Sequence, residues 1–139
     1  MGITSAMNKE EHLVANEIEI LQGAWQQIAL EADGEVNPPD EHSVPGALCY
    51  FFGTQFSVRT PDGTVLIEGD FDIDPSAHPK RITWIDSIGP DAGKRLPAIY
   101  AIEGDHFIFV AADEGQPWPS EFKTVPGLTM RSFIRHKAS

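Results

Sequence analysis

The segment Leu21-Gln22-Gly23-Ala24-Trp25 constrains this chain more than any other, because it joins its one helical pattern to a long series of β-type segments. Ahead of it, Asn8 and Glu11 fit a capping box, and Leu13, Val14, Ile18 and Leu21 fall at spacings that share a helical face. The spacing predicts a short amphipathic helix over roughly Lys9 to Ile20, after a loose tail at residues 1–7. A helix of that length is marginal alone in water and must pack on the rest of the chain. Gly23 then lets the backbone bend tightly into a first strand, and Trp25 supplies a ring large enough to plug one end of a barrel.

After Gly23 the chain is punctuated by turn signals. Asp33-Gly34, Asn37-Pro38-Pro39, Pro61-Asp62-Gly63, Asp74-Pro75, Gly89-Pro90, Glu103-Gly104-Asp105 and Pro117-Trp118-Pro119 separate runs rich in Val, Ile, Phe, Tyr, Trp and Thr. The clearest alternation runs from Val65 to Asp74. Val65, Ile67, Phe71 and Ile73 share one face, and Glu68, Asp70, Asp72 and Asp74 share the other. Strands are expected near 23–32, 47–59, 64–73, 80–87, 95–103, 106–112 and 128–136, with a short eighth around Glu121-Phe122-Lys123. Many strands joined by short turns argue an antiparallel meander, and closure into a barrel removes the edges an open sheet would expose. The predicted fold is all-β: an up-and-down barrel of about eight strands with a short N-terminal α-helix. Residues 1–20 form the tail and helix and 21–137 the barrel, within one domain.

In such a closed meander the last strand runs antiparallel beside the first, which brings Arg135 within reach of Trp25. Arg131 then lies about 13 Å further along the same strand. A guanidinium stacked on an indole contributes about 0.5–2 kcal/mol and shields the barrel end. Gly23, Trp25 and Arg135 are thus the expected closure residues.

A Gly-x-Trp on the first strand that meets a basic residue from the last is the pattern of the lipocalin-like, or calycin, superfamily. More specifically, residues 20–137 resemble a bacterial lipocalin-like domain family of unknown function, expanded in planctomycetes. The segments that carry the resemblance include Leu21-Gln22-Gly23-Ala24-Trp25, Glu31-Ala32-Asp33-Gly34, Asp74-Pro75 and Pro79-Lys80-Arg81-Ile82. Gly89-Pro90-Asp91-Ala92-Gly93-Lys94, Ile99-Tyr100, Gly104-Asp105 and Pro119-Ser120-Glu121-Phe122-Lys123 follow in the same order. The resemblance implies the barrel fold and no settled activity, cofactor or catalytic residue.

Composition narrows the partners. At 139 residues the chain can bury roughly two-thirds of its unfolded surface and needs no disulfide or metal to fold. Its single cysteine, Cys49, lies in an apolar run and reads as an inert buried thiol. Ten basic against 21 acidic residues leave a formal charge of -11, which repels phosphate backbones and anionic membranes. Neither nucleic-acid nor membrane partners are therefore expected. The N-terminus lacks a secretory pattern, so a cytoplasmic protein is expected. Asp70, Asp72 and Asp74 fail as a calcium loop, because Pro75 stands where glycine and Arg81 where glutamate is required. The five histidines show no two-ligand spacing, and no glycine-rich phosphate loop or nucleophile elbow is present, so no metal or cofactor is expected.

The candidate chemistry lies in the aromatics. Tyr50, Phe52, Trp84, Tyr100 and Trp118 are candidate contacts for a small apolar or aromatic ligand inside the barrel, with Asp86 or Arg131 orienting a polar group. The 34–46 and Pro117-Trp118-Pro119 loops would cover the mouth. A barrel enzyme of the cyclase, isomerase or decarboxylase type is an alternative, with Tyr100 as acid, Asp86 as base and Arg131 as anion clamp. A protein-interaction scaffold with a filled core is another. The sequence leaves the oligomeric state open.

Overall fold

In the computed structural model, residues 9–37, 46–88 and 92–136 are described. One helix, α1 (Lys9–Leu21), precedes nine strands: β1 (Gly23–Ala32), β2 (Glu35–Asn37), β3 (Leu48–Phe52), β4 (Gln55–Arg59), β5 (Val65–Asp74), β6 (Lys80–Asp86), β7 (Arg95–Glu103), β8 (His106–Ala112) and β9 (Leu128–Arg135). All pairings are antiparallel, and β1 pairs with β9 to close an eight-stranded up-and-down barrel. The short β2 folds back on the far end of β1 and shares that edge with β3. Asn8 and residues 38–45, which include most of the expected 34–46 lid, lie outside the described residues.

Two expected strands differ. The run 47–59 is a hairpin, β3 and β4, turned at Gly53-Thr54. Gly53 was the one signal for that turn, inside a run whose flanks are apolar. Glu121-Phe122-Lys123 forms no strand. It belongs to a strap on the outside of the barrel, whose path follows from one row of cross-strand partners. Arg81, Ile99, Val110, Met130 and Glu31 lie side by side from β6 to β1. Trp118 stacks over Arg81 at 4.8 Å, and the Thr124 hydroxyl donates to Glu31 at 2.6 Å. Those ends are about 19 Å apart at ~4.8 Å per strand, a distance that six extended residues cover. Ile99 and Val110, midway along this outward row, are fully buried although they point away from the barrel interior.

The closed end of the barrel is built around α1. Val14, Glu17, Ile18 and Leu21 form its inward stripe, while Leu13 is exposed. Gly23 takes a φ of 107°, a conformation that favours glycine and turns the chain from α1 into β1. The last carbonyls of a helix have no internal partners, and here residues outside the helix supply them. The Trp25 Nε1 donates to Leu21 O at 2.8 Å, and Gln22 Nε2 donates to Ile18 O at 2.9 Å. Arg135 donates to Ile20 O at 2.6 Å and to Gln22 O at 3.0 Å. Its guanidinium lies 4.3 Å from the Trp25 ring centroid, and the two residues are register partners. The last turn of α1 holds no basic residue, so Arg135 brings positive charge to the negative end of the helix dipole from the far end of the chain. Gly23, Trp25 and Arg135 thus form a helix C-cap as well as a ring stack.

Above this cap the barrel is filled with rings. Phe107 is the hub, with centroids 5.7–6.3 Å from those of Trp25, Phe51, Tyr100, Phe109 and Phe133. Phe71 and Trp84 extend the cluster across the barrel. The filling is confined to this half.

Candidate functional site

The opposite half of the barrel holds a cavity of about 620 Å³, open at the end where β1, β6 and β8 finish and β9 begins. Phe56, Trp84, Phe109 and Phe133 form its floor, and Val58, Leu66, Ile67, Leu96 and Ala111 line its wall. Phe109 stacks on Phe133 at 5.9 Å and packs at a tilt against Trp84 at 4.9 Å, which makes the floor a continuous aromatic surface. Polar groups are few: Gln27, Cys49, Asp86, Thr129 and Arg131, with Asp113 at the rim.

Each polar group is placed by strand alternation. On β9, Thr129, Arg131 and Phe133 point inward in succession, so Arg131 stands about 7 Å below Thr129. On β6, Ile82 and Trp84 point inward and carry Asp86 to the same face near the mouth. Gln27 follows Trp25 by two residues on β1, and its Oε1 accepts from Arg131 Nη1 at 3.0 Å. Cys49 is the register partner of Trp25 and therefore also faces in.

Burial governs the electrostatics here. Removal from water pushes the Cys49 thiol up from the ordinary 9.0 to about 12, and the nearby Arg131 charge only partly opposes this. Burial also lowers the Arg131 guanidinium from its usual range, yet an arginine stays charged at neutral pH. Among the described residues Arg131 has no carboxylate partner. Trp84, only 6% exposed, has a buried Nε1 with no hydrogen-bond acceptor among the described residues. A buried donor left this way is costly, about 1–3 kcal/mol, and such groups are uncommon.

The raised thiol makes a pH prediction. The folded protein holds a proton on Cys49 that the unfolded chain releases between pH 9 and about 12, so stability falls as pH rises through that window. The slope is up to about 1.4 kcal/mol per pH unit. Tyr100, also raised by burial from the ordinary 10.0, adds to the loss from about pH 10 upward. Urea midpoints measured at pH 8.5 and 10 are expected to differ, and Cys49→Ala is expected to remove most of that difference.

Of the ligand contacts expected from the sequence, Trp84 and Arg131 line the cavity, together with Asp86. The others do not. Tyr50 and Phe52 face outward and line a second, larger pocket of about 930 Å³ over β3, β4 and β5, beside Ser57, Glu68 and Asp70. The run Leu48 to Phe52 is apolar at every position, so alternation alone cannot say which face is inner. The pairing of Cys49 with Trp25 decides it. Trp118 lies outside on Arg81, not over the mouth. Tyr100 is inside but at the closed end, where its hydroxyl donates to Glu17 Oε1 at 3.1 Å. Lys80 Nζ donates to the same oxygen at 2.7 Å, so this carboxylate ties α1 to β6 and β7. The Tyr100, Asp86 and Arg131 set therefore does not converge.

Gln27, Cys49, Phe56 and Phe109 were not among the expected site residues. Gln27 was legible as the residue two beyond Trp25; the other three needed the register. Among the described residues no group of three or more His, Cys, Asp or Glu side chains is placed to hold a metal ion. No helix among them is long and apolar enough to cross a membrane. No family model, curated protein or solved structure matches the chain.

Proposed function

We propose that this barrel binds one small apolar or aromatic molecule in the cavity at its open end. The observation that carries the reading is the uneven filling of the barrel: rings pack the α1 half, while about 620 Å³ stays open above Trp84 and Phe109. A concave, mainly apolar space with a few polar groups is the usual form of a small-molecule site. The proposal keeps the protein with lipocalin-like barrels, the superfamily its Gly-x-Trp and Arg135 resemble. An enzyme built on Tyr100, Asp86 and Arg131 has no support in the geometry, because Tyr100 is committed to Glu17.

The test uses N-phenyl-1-naphthylamine, a neutral aromatic dye whose emission rises in apolar surroundings. Saturable one-to-one binding is expected. Ala111→Phe, which projects a ring into the cavity from β8, is expected to weaken it at least tenfold, about 1.4 kcal/mol. Tyr100→Phe, at the closed end, is expected to leave the affinity unchanged. Absence of saturable binding, or insensitivity to Ala111→Phe, would refute the proposal.

A further inference from the structure

The cavity holds a buried charge that no carboxylate balances among the described residues. Arg131 is positive below the rim, with Gln27 Oε1 as its hydrogen-bond partner. Phe109, the cross-strand partner of Arg131, packs on Trp84 with ring centroids 4.9 Å apart, so the floor beside the guanidinium is apolar. The Trp84 Nε1 is sealed inside this floor and does not reach the cavity. A guanidinium is a donor only, so it calls for an acceptor, and its charge calls for an anionic one.

Other groups do not already meet this demand. Asp113 is exposed at the rim, and Asp86 has interactions of its own. Cys49 is held as the neutral thiol, so it offers Arg131 no charge. The wall between Arg131 and the mouth is apolar, formed by Val58, Leu66, Ile67 and Leu96.

We infer that the ligand is an amphipathic carboxylate, which enters head first so that its carboxylate lies against Arg131 and its apolar body lies along the wall toward the mouth. This assignment rests on the cavity-binding proposal and adds the chemical class. Burying a guanidinium without a counter-charge is unfavourable, and a bound carboxylate would supply that charge where water is largely excluded. The body of the ligand would also cover Leu66 and Ile67, both partly exposed at the mouth.

Matched probes separate the two ideas. Purified protein is titrated with cis-parinaric acid and with its methyl ester, which share one apolar chain and differ in charge. The acid is expected to bind at least about tenfold more tightly than the ester, as a charge-assisted hydrogen bond warrants. Arg131→Met is expected to bring the two within about twofold of each other by weakening the acid alone. Arg131→Lys, which keeps the charge and loses the planar fork, is expected to retain part of the acid preference. If acid and ester bind the wild-type protein equally, the carboxylate assignment fails and the cavity proposal stands. If neither binds, both fail. An acid preference that survives Arg131→Met overturns the assignment by placing the anion elsewhere. Should Arg131→Met not fold, Arg131→Gln carries the same expectation, and the wild-type comparison of acid with ester still decides the ligand class.

Discussion

Gly69→Ala is expected to destabilise the protein by about 3 kcal/mol or more, near the upper end of the range for overpacking. A Cβ at this position would lie 2.0 Å from Ile85 O and 2.9 Å from Ile85 C, both backbone atoms that no rotamer change can move. The reason is the geometry of the barrel wall. Gly69 lies in the inward row Phe51, Phe56, Gly69, Asp86, where β5 bends hard against β6. The missing side chain lets β6 approach, and the rings of Phe56 and Trp84 meet at 5.0 Å beside it. Glycine inside a strand commonly marks such a bend.

The sign of the result is informative. Where the backbone tolerates it, Gly→Ala stabilises by about 0.4–1 kcal/mol by restricting the unfolded chain. A fall in Tm of roughly 10 °C, with a matching fall in the urea midpoint, is expected instead. An unchanged or raised Tm would show that the β5–β6 approach is not as close as described. Since Phe56 and Trp84 form part of the cavity floor, the variant is also expected to bind N-phenyl-1-naphthylamine more weakly.

Trp25→Ala is expected to cost about 3–5 kcal/mol, the usual range for removing a fully buried large ring. Against a total stability of ~5–15 kcal/mol for ordinary domains, that is a large share. Three interactions go together: the contact with Phe107, the stack with Arg135 and the hydrogen bond to Leu21 O. The end of α1 then loses part of its cap, and protease cleavage near Leu21 is expected to accelerate. Trp25→Phe keeps most of the ring and loses the Leu21 bond, so an intermediate loss is expected. Trp25 does not line the cavity, so dye affinity measured in the cold, where the variant stays folded, should be unchanged. Lost affinity with intact stability would reverse the roles assigned to the two halves of the barrel.

How far the site was legible differs from strand to strand. On β9 the alternation put Thr129, Arg131, Phe133 and Arg135 on one shared face without saying which side it was, and the structure makes it the inner one. On β6 the same logic carried Asp86 inward with Trp84. On β3 it had nothing to work with, because both faces are apolar, and Tyr50 and Phe52 belong to the outer one. Trp118 followed a different rule. Its prolines marked a loop correctly, but a loop's sequence does not say which surface it crosses, and this one straps the outside of the sheet. On α1, Glu17 falls on the same stripe as Val14 and Leu21. A charged residue there reads as solvent-facing until its partners Tyr100 and Lys80 are known.

By itself the sequence determined the series of antiparallel segments, the helix before them and which residues of β9 share a face. These depend on turn chemistry, on period-two and period-3.6 patterning and on residues close together in the chain. Only the tertiary structure decided which half of the barrel is filled and which stays open. That depends on the register at which β1 meets β3 and β9, on the bend at Gly69 and on the docking of α1. Each is a contact between residues far apart in sequence, where packing and closure, rather than local preference, choose the side a ring will take.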